Sequence, residues 1–556
     1  MNVMNLESPL REIDVAPKSR IGQDRWGFLL LGAVLLSTLA HRLFLLLSTE
    51  FPINDGGLFY DFVRQIAPIF PALPDTVSYN GLELPFAYPP LSFWLLALMS
   101  RLGADTLAIF HVAPILMNLV YVSLFALVLR RSGASLMFVA LAMLFFCSML
   151  SSFQWLVMGG GIPRGLGSLF LMATLIAVGT PDGKERRPLS TLRMIVTGLF
   201  VAGAILSHLE WGLNAAVAVI LSRAMGSPDV RDFVRGLMIA GITALMLISP
   251  WLYFVYAAHG LEPFMAAGAS GQFTNLVSLN GVLAVLSWGL VNPMIPIGLA
   301  LILSRKQYFW PAFFVLCLLL TPRHSATPAA MPLAIFAANG AMWLFSTLLR
   351  PRRNNGIAWA LMLVFIGVVT IPRFKADFLV RGDTSHALRA PQLEAMKWVA
   401  RNHRGETFIV LERYGWWSAS SAEWFPVLTG ARSTNTVQGR EWINGSYQKF
   451  FDDDIQLKVA VIRRLNAEDP EASARANPKP SCSEIRDRLA VFERPRFLWA
   501  EVTHECLPPT QFKPVYRNSA VTIYELMPGA LRSQNIQPLA KHPLPIQQEG
   551  DDRRDE

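Results

Sequence analysis

Apolar runs long enough to cross a hydrocarbon core recur from Trp26 to Pro372 and then cease. The first spans Trp26 to Ser48, and further crossings are expected at 106–129, 134–157, 166–180, 194–207, 211–222, 236–257, 282–303, 308–320, 329–348 and 356–372. Segment 86–102 is apolar too, but Pro89-Pro90 withhold two backbone donors near its start, so it reads as a partial or interfacial segment. In the first outer loop, 49–86, the stretch Gly57–Ile69 sets Leu58, Phe59, Phe62, Val63 and Ile66 at helical spacing, which predicts an amphipathic helix along the membrane surface. Beyond Arg373 the pattern becomes that of a soluble domain. It predicts a helix over Ala390–Asn402, a strand over Thr407–Leu411, a helix over Ser483–Phe492, and strands over Phe497–Val502 and Val521–Leu526. The expected fold class is a polytopic α-helical membrane protein of about 11 to 13 spans with a C-terminal soluble α/β domain. Its divisions are a cytoplasmic segment 1–25, a multi-span region 26–372, the soluble domain 373–532 and a disordered tail 533–556.

Composition agrees: 53% hydrophobic and 16% charged residues exclude an ordinary soluble domain. The net charge of +9 invites nucleic acid as a partner. Its basic residues, however, fall in short loops near 11–25, 130–131, 184–193, 223–235, 305–306 and 350–353, the pattern of positive-inside orientation, and nucleic acid is set aside. This makes the chain a multi-pass protein of the inner (cytoplasmic) membrane with a cytoplasmic N-terminus and an extracytoplasmic, periplasmic C-terminal domain. The opening run lacks a small-residue cleavage site and stays as an anchor. Cys147 and Cys317 read as core residues, whereas Cys482 and Cys506 lie where a disulfide can form.

With that orientation Asp55, Arg164, His208, Glu210, Glu262, Arg323 and His324 all face one outer surface, although they are scattered along the chain. A carboxylate beside a membrane span is costly to keep without a role. Asp55 suits a base that activates an acceptor nucleophile, with or without a divalent metal (Mg or Mn); it equally suits a helix N-cap before Gly56-Gly57. The glycine-rich loop Gly159–Gly167 carries backbone N–H groups and Arg164, a combination fit for phosphate, or for a tight turn with a snorkelling arginine. Arg323 and His324 add cations on the same face and join Arg164 as donor-phosphate ligands. His208 and Glu210 crowd a very short outer turn, as acceptor ligands or as a capping network. The stretch His259–Leu279, with Glu262, can close over the site or form an inert loop. No His, Cys, Asp or Glu spacing specifies a metal, so no cofactor is assigned. In the C-terminal domain Trp416, Trp417, Glu423, Trp424, Phe425, Arg432, Glu441 and Trp442 gather aromatic faces and charges suited to sugar rings, or to core packing.

The run Asn54-Asp55-Gly56-Gly57-Leu58-Phe59-Tyr60, the later Ala87-Tyr88-Pro89-Pro90-Leu91, the Gly159–Gly167 loop and the many-span plan with an outer C-terminal domain together resemble the GT-C superfamily. That superfamily of membrane glycosyltransferases includes protein mannosyltransferases, the aminoarabinose transferase and oligosaccharyltransferase. The resemblance implies transfer of a sugar from a polyprenyl-phosphate donor to a glycan, lipid or protein acceptor, with Asp55 as the catalytic carboxylate. Tyr60 and Tyr88, within the two matching runs, join His208, Glu210 and Glu262 as acceptor or substrate ligands. The chain departs from the family in offering no second carboxylate in the Gly159–Gly167 loop. Tyr414-Gly415-Trp416-Trp417 holds the residue types of the oligosaccharyltransferase Trp-Trp-Asp-Tyr-Gly motif in another order, and that motif is not carried over. The rival readings are a transporter or flippase for lipid-linked saccharides and a non-catalytic envelope assembly protein.

Overall fold

The computed structural model describes residues 17–181, 188–270, 293–321, 325–348, 364, 386–412, 420–443, 481–492, 495–501 and 507–531, with isolated positions between 447 and 457. The expected crossing at 356–372, the tail, Arg323, His324, Trp416, Trp417 and Cys506 lie outside them or nearly so. Among the described residues five helices are long and apolar enough to span a membrane, and five shorter apolar helices accompany them. The chain is a multi-pass helical membrane protein with a small C-terminal sheet.

The first helix, α1, is Pro17–Leu47, and the short helix α2, Gly57–Ile66, lies in the loop that follows. Next come a hairpin, β1 Thr76–Tyr79 and β2 Leu82–Pro85, and the short helix α3, Leu91–Arg101. The hairpin turn is Asn80-Gly81 with φ values of 53° and 74°, the left-handed pair that a two-residue turn between twisted strands demands. At 11 residues α3 reaches about 16 Å.

The remaining bundle comprises α4 Thr106–Arg131, α5 Leu136–Ser148, α6 Ile162–Val178, α7 Thr191–Ser207, α8 Leu209–Gly226, α9 Val230–His259, α10 Glu262–Ser270, α11 Met294–Ser304, α12 Phe309–Leu320 and α13 Ala326–Leu348. Side-chain caps set several starts: Asp105, Ser135, Ser190 and Asp229 each accept a backbone N–H from the first turn of the helix they precede. The run expected as one crossing over 134–157 stops being helical at Ser148. There Ser148 and Ser152 hydroxyls donate back to the carbonyls of Phe145 (2.9 Å) and Met149 (2.8 Å), and the chain tightens into 3-10 turns. His208 is extended, at φ −161° and ψ 123°, and separates α7 from α8.

The C-terminal region holds α14 Ala390–Asn402, β3 Thr407–Leu411, α15 Ser420–Thr429, β4 Arg432–Ser433, α16 Cys482–Leu489, β5 Phe497–Ala500, β6 Phe512–Arg517 and β7 Thr522–Leu526. Its five-stranded sheet runs β4-β3-β5-β7-β6, parallel through β4, β3 and β5 and antiparallel beyond. Cys482 is disulfide-bonded, whereas Cys147 and Cys317 are free thiols. Two packings tie the first outer loop to the rest of the chain. Leu58, Phe62, Val77, Tyr79, Phe93, Phe110 and Ile162 form a core of that loop with α4 and α6. Phe51, just past α1, is buried in the C-terminal core with Trp424 and Phe425.

Candidate active site

Asp55 rides on a turn that few residues could form. Asn54 has φ 56° and Gly56 φ 127°, both in the left-handed region. The turn is gripped from several directions. Asn54 N–H donates to the His386 carbonyl at 2.6 Å, Ile53 pairs with Ala387 in an isolated antiparallel bridge, and the Trp424 indole N–H donates to the Asn54 carbonyl at 3.0 Å. Trp424 is fully buried and meets the Phe51 ring edge-on, with centroids 4.8 Å apart. Truncating such a tryptophan typically costs about 3–5 kcal/mol, so the docking of α15 on this turn is a main packing interaction of the region.

From the membrane side the glycine run closes on the same turn. Gly159 N–H donates to the Ile53 carbonyl at 2.8 Å, and Gly160 N–H lies 3.1 Å from the Asp55 carbonyl and 3.0 Å from carboxylate Oδ1. The glycine amides thus approach an anion, as their composition suggested, and the anion is Asp55 itself. A Cβ on Gly160 would stand 2.7 Å from Asp55 Cγ, so this close approach requires glycine. Arg164, in the first turn of α6, places Nη2 3.6 Å from Asp55 Oδ2, donates from Nη1 to the Trp155 carbonyl at 3.2 Å, and lies over the Trp155 ring. The Asp55 and Arg164 side chains are 24% and 15% exposed, sunken yet reachable. Burial raises the Asp55 carboxyl above its ordinary range, and the Arg164 guanidinium and the Gly160 N–H oppose that rise.

The N-cap alternative for Asp55 fails, because α2 is capped from far away. Gly56 occupies its N-cap position with no side-chain cap of its own, and Glu423 Oε1 accepts the N–H groups of Gly56 (3.0 Å) and Leu58 (3.1 Å). Glu423 is 4% exposed, and its carboxyl is pushed up to about 8 by burial first and then by the charges of Asp55 and Glu441, against those two N–H bonds. A second carboxyl beside the Asp55 turn is thus supplied by the C-terminal region.

Tyr88 forms a wall of the site. Its ring stands edge-on to those of His208 (6.3 Å) and Trp442 (5.7 Å), and its hydroxyl is held above its ordinary range by burial and by Glu210, Glu441 and Asp55, against Arg164. Asp55, Arg164, His208 and Glu210 thus all lie near Tyr88. Glu262 begins α10, which packs against the 3-10 turn Arg440–Trp442, one step behind that wall. Tyr60 goes elsewhere: its ring packs on Phe110 and Trp424, and the charges it senses are Arg64, Asp105 and Asp61.

One contributor inside the first span escaped the pattern. Arg42 is wholly buried, donates from Nε to Asn118 Oδ1 at 2.8 Å, contacts His41, and lies 3.7 Å over the Phe153 ring. Asn118 in turn donates to the Ser152 carbonyl at 3.3 Å, so the network fastens the loop leading into Gly159 to α1 and α4. Its signal was an arginine in an otherwise apolar run. As for a metal, among the described residues no group of three or more His, Cys, Asp or Glu side chains is placed to hold one. The cation on Asp55 is Arg164.

No family model and no curated protein matches the chain. Among solved structures it is similar to ArnT from Cupriavidus metallidurans bound to undecaprenyl phosphate, at 14% identity and a TM-score of 0.48, covering 91% of this chain and 99% of that one. It is also similar to the Archaeoglobus fulgidus oligosaccharyltransferase tethered with an acceptor peptide, at 11% identity and TM-score 0.46, covering 73% of this chain and 63% of that one. A third is the mycobacterial arabinofuranosyltransferase AftD, at 13% identity and TM-score 0.48, covering 90% of this chain and 40% of that one. The chain thus spans less than two thirds of the latter two enzymes. At such identities and scores the likeness is one of outline, and the side chains around Asp55 carry the functional reading.

Proposed function

We propose that this chain is a GT-C-type membrane glycosyltransferase that moves a sugar from a polyprenyl-phosphate carrier to a glycan, lipid or protein acceptor at the outer face of the inner membrane. The observation that supports it is a sunken, solvent-reachable carboxylate at the end of the first span, with a guanidinium 3.6 Å away and a backbone N–H on its other oxygen. In the proposed step Asp55 takes the proton from the acceptor nucleophile as that atom bonds to the anomeric carbon, and the bond to the carrier phosphate breaks with its electron pair leaving on the phosphate. A raised proton affinity makes Asp55 a better base, while Arg164 keeps it ionised until the acceptor arrives. Arg164, with Arg323 and His324, then neutralises the phosphate. Tyr88, Trp442, His208, Glu210 and Glu441 offer the mixture of ring faces and hydrogen-bonding groups that holds a sugar or its acceptor.

The test is transfer assayed in membranes with a panel of polyprenyl-phosphate sugars. Asp55→Asn keeps the shape of the side chain and removes the base, and transfer is expected to fall by at least about a hundredfold. Transfer retained by the variant would remove Asp55 from the chemistry. No transfer by the unmutated protein from any donor would favour the transporter or assembly reading.

A further inference from the structure

We propose that Glu423 is a positioning residue for Asp55: its carboxyl, supplied by the C-terminal region, clamps the backbone of the catalytic turn, so that the base is aligned only when that region is docked. The inference rests on the proposed role of Asp55, and its clamp is also testable without any transfer assay.

The geometry is specific. Glu423 Oε1 receives two amides, those of Gly56 and Leu58, which flank the glycine at the start of α2, immediately after Asp55. These are orphan donors of a helix start, and leaving them buried without an acceptor would be costly. The approach is tight as well: a Cβ on Gly57 would stand 2.5 Å from the Glu423 carbonyl oxygen, and that same oxygen accepts the Tyr79 hydroxyl at 2.8 Å. The next residue, Trp424, bonds the Asn54 carbonyl on the other side of Asp55. Two adjacent residues of α15 therefore hold the backbone before and after the carboxylate, while Gly160 holds the carboxylate itself. Glu423 is 4% exposed and spends Oε1 on two backbone amides of the turn, so its influence runs through Asp55.

A glutamine at 423 retains an oxygen able to accept both amides, whereas an alanine does not, and the two substitutions separate clamp from charge. The titratable and charged groups that face Glu423 and its immediate neighbours are Asp55 on the turn, Glu441, the Tyr79 hydroxyl of β1 on the Glu423 carbonyl, and Glu412 after β3, which accepts the Ala422 N–H; α14 presents Gln392 to neighbouring Ser421. Of these, Asp55 and Glu441 are the charges that raise its carboxyl, in addition to burial. Burial and like charge thus oppose full ionisation of both carboxyls near neutral pH: Glu423 is pushed up to about 8, and Asp55 is raised by burial against the Arg164 guanidinium. As pH rises past about 8, Glu423 ionises against the like charge of Asp55 on the same turn, and that repulsion disturbs the alignment of the base, so transfer declines.

The experiment uses the full-length protein in detergent or membranes, with Glu423→Ala and Glu423→Gln compared with the unmutated chain. Hydrogen exchange is followed in the peptide covering residues 53–62, and transfer is followed from the polyprenyl-phosphate sugar panel across pH 6 to 9.5. Glu423→Ala is expected to speed exchange in that peptide and lower kcat about tenfold or more, with a smaller change in KM. Glu423→Gln is expected to restore both, and to lose the decline above about pH 8. Unchanged exchange in Glu423→Ala, or full kcat in that variant while Asp55→Asn is inactive, would overturn the proposal. A Glu423→Gln profile that still declines as in the unmutated protein would overturn the assignment of that limb to Glu423. Asp55→Asn retaining activity while Glu423→Ala loosens the turn would instead strike down the catalytic reading and leave the clamp standing.

Discussion

At the scale of single residues, the site is defined by what Gly160 lacks. Its amide bonds the carboxylate of Asp55, and a methyl group in place of its hydrogen would stand 2.7 Å from Cγ and 2.8 Å from both carboxylate oxygens. A contact that short is relieved only by moving Asp55 or the glycine run. Gly160→Ala is therefore expected to leave the protein folded and membrane-inserted while cutting transfer about tenfold or more, since small misplacements of a reacting group carry large rate penalties. The check is a transfer assay beside a thermal melt of the same preparation. A variant as active as the unmutated chain would mean that the carboxylate need not sit where Gly160 holds it. Glycine's abundance in 159–167 was plain in the sequence, but composition cannot say whether its amides face a ligand or a side chain of the same protein. The identity of the anion, Asp55, depended on the fold bringing together two stretches about a hundred residues apart.

Between elements, the closest crossing among the described helices is that of α11 with α13. A Cβ on Gly298 would overlap the Phe336 carbonyl oxygen, and one on Gly340 would overlap that of Met294. Small residues at such crossings let helix backbones meet where lipid supplies no hydrophobic drive to hold them together. Gly298→Ala is expected to lower the thermal midpoint of the detergent-solubilised protein and its yield, by a penalty on the order of 1–3 kcal/mol for overpacking. Gly241→Ala, on α9 with no atom within 4 Å of the added carbon, is the matched control and should be neutral or slightly stabilising. Equal melts for the two would contradict the tight crossing. Element identity was largely readable: Ala390–Asn402 and Thr407–Leu411 have the bounds that periodicity assigns. The helix Ser420–Thr429 was missed because it is buried on nearly every side, polar Ser420, Ser421 and Glu423 included, and contains Pro426, so no amphipathic stripe marks it. The hairpin at Asn80-Gly81 had a recognisable turn signal that apolar periodicity passed over.

For the whole molecule, the short α3 decides the parity of every later crossing. If α3 stays on the outer side, α4 runs inward to Arg130-Arg131, and the loops at Ser227 and Arg305 face the cytoplasm. The contact of His259, at the end of α9, with the Asp75 carbonyl in the first outer loop (2.7 Å) fits that count. Cysteines introduced one at a time as Glu83→Cys and Arg517→Cys should react with a membrane-impermeant thiol reagent in intact cells. Ser132→Cys and Arg231→Cys should react only after permeabilisation. Labelling of Ser132→Cys from outside would show that α3 crosses and would reverse every loop beyond it.

Hydrophobic periodicity was enough to establish a many-span membrane region, a C-terminal stretch of mixed helix and strand and an acid just past the first span, because transfer from water to lipid is additive along a chain and leaves its mark locally. The partners of that acid were another matter. Glu423 and Trp424 reach Asn54, Gly56 and Leu58 across some 365 to 370 residues of sequence, and no local pattern encodes such a meeting. Whether Asp55 caps a helix or stands available for chemistry turned on which other group took the first amides of α2, and that is settled by three-dimensional proximity, since buried donors bond whatever acceptor packing delivers.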